Sequence, residues 1–588
     1  MDILIIGAGP SGLCAAKTFL QHDAAAKIRI VDSRASLGGV WSQEQIYPTL
    51  KTNNVFSMID FSDFPMDSAR FGIGPGEHVT GETMNAYLRA YADHFHLTDK
   101  LRLNTRVVEI RRQSESGGKW EVVVDKGEVL SCDKLVVATG VLSSPHLPEI
   151  QGSEEFHAPL IHSSSLGREA NHILHDPGIK SVAVLGGSKS SYDAVHLATS
   201  TGHTVEWIIR KSGRGPVWVF PAFTMMGPFR ALREGLVTRR FISFMSPWSF
   251  PDYSGFAWLR KLLHSSPIGR AITQAFWGKL RAETLHDCRY QEDKLFGDLE
   301  PEQNPFWYGT SSGVLNYDAD ILALIKSGQV RVHRSDVSHL SHHAVHLKEP
   351  DRSIPVDAFI ACTGYSAKPS LNFSPSTIHS ELGVPTTSLT KTQIEFWSRL
   401  EGAADATIGT EFPRLLGGPF YSPTSTTPQS FNPGSTSEAE APYSPWRLYR
   451  GIAPPGLTAR GDNSLVFLNM FSGVANTPRI ELQCLWTLAY FCDDIPSVRR
   501  DREENKVWSE TALLARYARH RSPYGHGRFY PDLVVDQLPY WDLLLHDLGL
   551  ETRRKGGGWR ELFETYGHAD YKGVVDEWVN RRKLAGSK

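Results

Sequence analysis

At 588 residues, with 41% hydrophobic and 21% charged side chains, the sequence has the composition of an ordinary globular protein long enough for two or three domains. A formal net charge of −2 gives no global attraction to nucleic acid or to an acidic membrane. Six cysteines without a C-x-x-C pair or metal-ligand spacing argue against a redox dithiol, a disulfide framework and a metal centre.

The chain enters an apolar run, Ile3 to Ile6, that predicts a buried parallel strand. Gly7, Gly9 and Gly12 follow in G-x-G-x-x-G spacing, with Pro10 and Ser11 opening a helix. Gly7 permits the tight turn, Gly9 the approach of a pyrophosphate, and Gly12 close packing of helix on strand. The strand IRIVD then ends in Asp32, placed to accept a hydrogen bond from a ribose hydroxyl. Downstream lie SLGGVWSQ, with Gly39, Val40 and Trp41, and the triplet Thr52, Asn53, Asn54. An amphipathic helix is predicted over 82–97, with Leu88, Tyr91 and Phe95 on one face. TRVVEI, containing Val107, and WEVVVD read as a hairpin, and LVVATG, ending in Thr139 and Gly140, as a further strand.

A second turn, VAVLGGSKSSYD, keeps Gly186 but replaces the next two glycines with Ser188 and Ser191, Ser190 lying between them. Its second strand, TVEWIIR, ends in Arg210 with Lys211 beyond, basic groups suited to a 2′-phosphate. The alternative is a solvated surface pair. An aromatic-rich segment occupies about 216–310, with nine Lys or Arg against two acids between Phe229 and Arg281. It reads as a lid or packing module with a basic outer face. The expectation is that it forms the substrate entrance, and contact with a membrane surface is the less favoured alternative. Residues 421–443 read as a mobile loop of Ser, Thr, Pro and Gly, and GVVDEWVNRRK as a C-terminal helix. With no leader pattern and no apolar run near about 18 residues, the expected location is cytoplasmic.

These motifs together resemble the flavin-containing monooxygenases, a group of flavoproteins with two dinucleotide-binding turns that includes Baeyer–Villiger enzymes. The resemblance covers most of the chain and extends to ATG at Ala138–Gly140, ACTGY at Ala361–Tyr365 and IELQCLWTL from Ile480. The phrases GGSKSSYD, IRKSGRGP and YPDLVVDQLPYWDLLLHDLGL look most like fungal members. In the fingerprint between the nucleotide sites, Phe156 and His162 are in place, but Ala158 and Leu166 replace a glycine and an aromatic residue.

The resemblance implies an α/β fold with two Rossmann-like domains: an FAD domain over 1–165, an NADPH domain inserted over 166–365, and a return to the FAD domain with a C-terminal extension over 366–588. It implies flavin contacts from the first turn, from Gly39, Val40, Trp41, Thr52, Asn53, Asn54, Val107, Thr139, Gly140 and from Gln483. Nicotinamide-nucleotide contacts fall to Gly186, Ser188, Ser190, Ser191, Arg210 and Lys211. Asn53 is the candidate catalytic residue, because an amide both donates and accepts beside a flavin; otherwise Asn53 and Asn54 are turn residues. The implied activity is an NADPH-dependent monooxygenase that uses a C4a-(hydro)peroxyflavin to pass one atom of O₂ to a lipophilic small molecule. Fungal likeness points to secondary metabolism and leaves N- or S-oxygenation, epoxidation and Baeyer–Villiger insertion open. The competing readings are a pyridine-nucleotide disulfide reductase-like oxidoreductase and a non-catalytic flavin-binding protein.

Overall fold

The structure is a computed structural model that describes residues 1–113, 118–141, 143–226, 228–366, 368–418 and 443–586. The loop expected over 421–443 lies outside the described residues, apart from Tyr443.

Two five-stranded parallel sheets frame the molecule. The first runs in the order Leu465–Phe467, Lys134–Val137, Asp2–Ile6, Lys27–Val31, Leu101–Arg102. Its central strand has Ile3, Leu4 and Ile5 fully buried, as a strand covered on both faces requires. Helices Pro10–His22 and Asn476–Phe491 pack together on one face, Phe19 stacking on Phe491 at 5.9 Å. Against the other face lies the antiparallel meander Val107–Arg112, Trp120–Val124, Val129–Cys132, which buries Ile110, Trp120 and Val122. The second sheet runs Leu160–His162, Ala358–Ala361, Ser181–Leu185, Thr204–Ile209, Val330–Arg334. Each central strand feeds a glycine turn and a helix, the topology that opens a crevice at the carboxyl edge of a parallel sheet.

The chain leaves the first sheet after Val137, builds the second, and returns at Leu465–Phe467. The two crossing segments pair with each other. His146 N–H donates to the Gly364 carbonyl at 3.0 Å, and Ser366 N–H to the Ser144 carbonyl at 2.8 Å. His162 reinforces this crossing through an Nε2 contact to the Gly364 carbonyl at 2.9 Å.

The amphipathic helix expected over 82–97 spans Gly81–His94, capped by the Thr80 hydroxyl, which accepts from Thr83 N–H at 3.2 Å. It stops early because His96 takes a left-handed φ of 54°. The C-terminal helix Val574–Gly586 buries Val574, Val575 and Trp578.

The aromatic segment corrects an expectation. Phe244, Trp248, Phe250 and Trp277 are core residues, with Trp248 packed edge-on to Tyr517 of the C-terminal region. Nor do all the basic residues face solvent. Arg240 is 1% exposed and held by Asp542 and Glu561, and Arg260 is paired with Asp252 at 2.7 Å. Burying a guanidinium requires such partners, so Arg240 ties the segment to the C-terminal region and Arg260 braces the segment internally. Only part of the segment is open, notably Phe229 and Trp258.

Candidate functional site

At the first turn, Gly7 has φ 114°, and a Cβ there would sit 2.5 Å from the Ala138 carbonyl oxygen. A Cβ on Gly12 would collide with the Gly7 carbonyl, so this glycine sets helix-to-strand contact. Gly9 differs: its backbone is extended, and a Cβ would meet only the Gly39 backbone, Cα at 3.5 Å and N at 3.9 Å. Gly9 and Gly39 thus face one another beside the start of helix Pro10–His22. Ser11 and Gly12 are buried in that helix's first turn, which holds no acidic residue and no capping side chain. An uncapped helix N-terminus lined by glycine backbone is suited to a phosphate. Asp32 stands at the end of the adjacent strand. Its carboxylate accepts Ala8 N–H at 2.8 Å and Arg34 N–H at 2.9 Å, which ties the turn to the strand and leaves lone pairs for a ribose hydroxyl.

Trp41 is anchored through its carbonyl, which accepts from Asn85 Nδ2 at 2.7 Å, while Val40 is exposed beside it. Asn53 lies on strand Lys51–Val55, its side chain exposed and without a hydrogen bond to a described residue. Neighbouring groups hold that strand firmly. Asn316 Nδ2 donates to the carbonyls of Lys51 at 3.2 Å and Thr52 at 3.0 Å. Thr139 accepts from the Ser370 hydroxyl at 3.2 Å, and the space where a Gly140 Cβ would point is empty.

Four side chains named as cofactor contacts are turned inward. Gln483 is fully buried, accepting Asn469 N–H at 3.0 Å and donating to the Tyr540 hydroxyl at 2.9 Å, so both ends of its amide are satisfied inside the protein. Thr52 is 1% exposed and uses its hydroxyl within its own strand pair, on the Asn54 carbonyl and Val79 N–H. The Val107 side chain belongs to the meander core. Ser191 is fully buried, and its hydroxyl lies 2.7 Å from the place of a Gly186 Cβ. It packs helix against strand as a third glycine would, instead of meeting a phosphate.

At the second turn Gly186 has φ 142° and Ser188 is the N-cap of helix Lys189–Ser200, again without a side-chain cap, with Ser190 in the first turn. Lys189 is directed inward to Asp193. Arg210 is half-buried just past the strand end and makes no ion pair with a described residue, whereas Lys211 is exposed and pairs with Glu349 at 3.3 Å. Sequence reasoning missed Arg334. It ends the neighbouring strand, opposite Ile209; its Nη2 pairs with Glu302 at 3.3 Å, and its buried Nη1 has no hydrogen-bond partner. A basic residue closing a β-rich run, as in RVHR, was the available signal.

The six cysteines are unpaired thiols. Burial pushes Cys362 up to about 12 and Cys484 well above its ordinary value. A disulfide reductase needs the opposite, a stabilised thiolate. No helix among the described residues is long and apolar enough to cross a membrane.

Comparison with known proteins bears on the family and the fold. A family model described as pyridine nucleotide-disulphide oxidoreductase matches residues 4–221. The chain is 31% identical to the FAD-dependent monooxygenase DEP4 of Alternaria brassicicola, over 99% of this chain and 96% of that protein. It is also 31% identical to the FAD-dependent monooxygenase resA of Aspergillus sclerotiorum, over 98% of each. Human flavin-containing monooxygenase 1 is 30% identical over 37% of this chain and 41% of its own. In fold the chain is similar to the open crystal structure of cyclohexanone monooxygenase, with a TM-score of 0.54 at 14% identity, covering 93% of this chain and 97% of that one.

Proposed function

The chain belongs to the FAD-dependent monooxygenases, and from that premise we propose that it is an NADPH-dependent enzyme that oxygenates a lipophilic small molecule of fungal secondary metabolism. The observation that carries this reading is the pair of uncapped helix N-termini at two parallel sheets, with Asn53 open on the strand held by Asn316. The residues present fit a flavin dinucleotide, because Gly9 and Gly39 meet backbone to backbone beside the uncapped start of helix Pro10–His22 and leave its N–H groups open to a pyrophosphate. When bound, the flavin supplies the two-electron chemistry by which one oxygen atom of O₂ reaches the substrate and the other leaves as water.

This chain's residues supply the rest. Ser11 and Gly12 direct helix N–H groups to the diphosphate, and Asp32 holds a ribose hydroxyl. Gly186 and Ser188 form the second phosphate cradle, with Arg210 directed to a 2′-phosphate and Arg334 beside it. Asn53 offers an amide that donates from Nδ2 and accepts at Oδ1 where oxygen chemistry takes place.

Two results test these roles. Arg210→Ala should reduce the preference for NADPH over NADH in kcat/KM by roughly tenfold or more, since a charge-assisted bond contributes about 1.5–3 kcal/mol. An unchanged ratio would return Arg210 to the solvated surface. Asn53→Ala should retain FAD yet consume NADPH with release of H₂O₂ and little product, because losing one preorganised donor costs about 2–4 kcal/mol at the oxygen-transfer step. Unaltered product yield per NADPH would leave Asn53 with a turn role only.

A further inference from the structure

Glu234 belongs to the aromatic segment, in the short helix Arg233–Val237, far in sequence from either nucleotide turn. Its carboxyl nevertheless meets both sides of the candidate site. Oε1 accepts from Asn54 Nδ2, the residue after Asn53, and from the backbone N–H of Ala475 at 3.2 Å. Oε2 makes no hydrogen bond to a described residue. Ala475 is buried and left-handed, with φ 44° and ψ 61°, at the head of helix Asn476–Phe491. A non-glycine residue adopts that conformation only where its surroundings enforce it, and such strain gathers at functional sites. The Glu234 carboxyl is the side chain that holds this N–H.

We propose that Glu234 is a positioning residue of the oxygenation site, which clamps the strand bearing Asn53 to the head of helix Asn476–Phe491. The proposal rests on the monooxygenase reading for its functional consequence, but not for the clamp itself. Three segments meet at one oxygen atom: the inserted segment, strand Lys51–Val55 and the C-terminal helix. Moving Asn54 by even a fraction of an ångström turns Asn53, because adjacent residues share the strand backbone.

The clamp is also sensitive to proton uptake. Burial raises the Glu234 carboxyl to about 7, with the Asn54 and Ala475 hydrogen bonds opposing that rise. The charged groups on the neighbouring elements make no bond to it. Arg233 pairs with Asp287 and Lys51 with Asp318 at 2.6 Å; Arg479 donates from Nη2 to Asn469 and Asn476, each at 2.7 Å, and its Nε and Nη1 have no hydrogen-bond partner among the described residues. His78, on the paired strand, contacts the Thr52 carbonyl at 3.0 Å, and burial lowers its pKa. Both donors bind the ionised carboxylate more strongly than the neutral acid, so the clamp tightens as pH rises through about 7.

The test compares wild type, Glu234→Ala and Glu234→Gln as full-length protein. Glutamine keeps an acceptor at Oε1 and cannot titrate. Hydrogen–deuterium exchange is followed in peptides covering 51–58 and 472–480, with and without added FAD, and product per NADPH is measured from pH 6 to 8. Glu234→Ala should exchange at least tenfold faster in those two peptides alone and lose most of its product yield. Glu234→Gln should exchange as wild type does and give a yield independent of pH, where the wild-type yield rises across an apparent pKa near 7. Exchange unchanged in Glu234→Ala, or raised throughout the chain in both variants, would overturn the clamp. A wild-type yield flat across this range would overturn the proton sensitivity. If wild type consumed NADPH without oxygenating any substrate, the monooxygenase reading would fail while the exchange result still judged the clamp.

Discussion

Gly9→Val should yield a protein that folds like wild type but purifies without its flavin. The backbone at Gly9 is extended, φ −80° and ψ −179°, a conformation any residue adopts, and the nearest atom to an added Cβ is Gly39 Cα at 3.5 Å. The backbone therefore accepts a Cβ at this position without a shift. The valine methyl groups extend past that Cβ beside the uncapped start of helix Pro10–His22, where the diphosphate would lie. Losing two charge-assisted bonds from helix N–H groups, each about 1.5–3 kcal/mol, predicts an FAD affinity lower by roughly 10²–10⁴-fold. Visible flavin absorbance relative to protein, beside a thermal melt of both apoproteins, provides the measurement. Gly12→Ala is the informative contrast. Its Cβ would collide with the Gly7 carbonyl, so that variant should lose stability as well as flavin. A Gly9→Val protein as yellow as wild type would place the flavin elsewhere.

The second large effect is on stability. Arg240→Ala should destabilise the fold by about 3–5 kcal/mol. Arg240 Nη1 binds Asp542, Nε binds Glu561 at 2.8 Å, and Nη2 donates to the Thr552 carbonyl at 3.2 Å and the Tyr566 hydroxyl at 3.1 Å. Both carboxylates are 1% exposed, so removing the cation leaves two buried negative charges without a countercharge, Glu561 keeping only the Tyr566 hydroxyl and the Lys555 N–H. The deficit should shrink in acid. Burial already raises the Asp542 carboxyl, opposed by Arg240, and without that guanidinium it takes up a proton more readily. Proton uptake by the folded variant favours the fold at low pH, so wild type and variant should differ most near pH 7 and least near pH 5. Denaturant melts at both values measure this, and a deficit below about 1 kcal/mol at pH 7 would show the triad to be dispensable.

Glutamate 234 and Arg240 show why part of this site was hidden in the sequence. Asn54 and Glu234 are 180 residues apart, and Arg240 and Asp542 are 302 apart. No local spacing relates them, and a lone acid or arginine in an aromatic segment looks like solvated surface. The same limit misled the reading of Gln483. A glutamine on an apolar helix suits a ligand as well as it suits an internal amide bond, and only the presence of Tyr540 and Asn469 around it decides for the second. Trp248 and Trp258 have the same composition-level signature, yet one is 2% and the other 65% exposed.

What the sequence by itself determined is what short-range backbone physics controls. Gly7, Gly9 and Gly12 after an apolar run admit one local structure, a strand, a tight turn and a closely packed helix, and so announce a dinucleotide fold. The acid closing the second strand and the base closing its counterpart in the other half follow from the same register. What only the tertiary structure decided is which polar side chains meet across the interior. Burying a charge requires a partner with matching geometry, and that partner is supplied by whichever segment the fold brings near, irrespective of its distance along the chain.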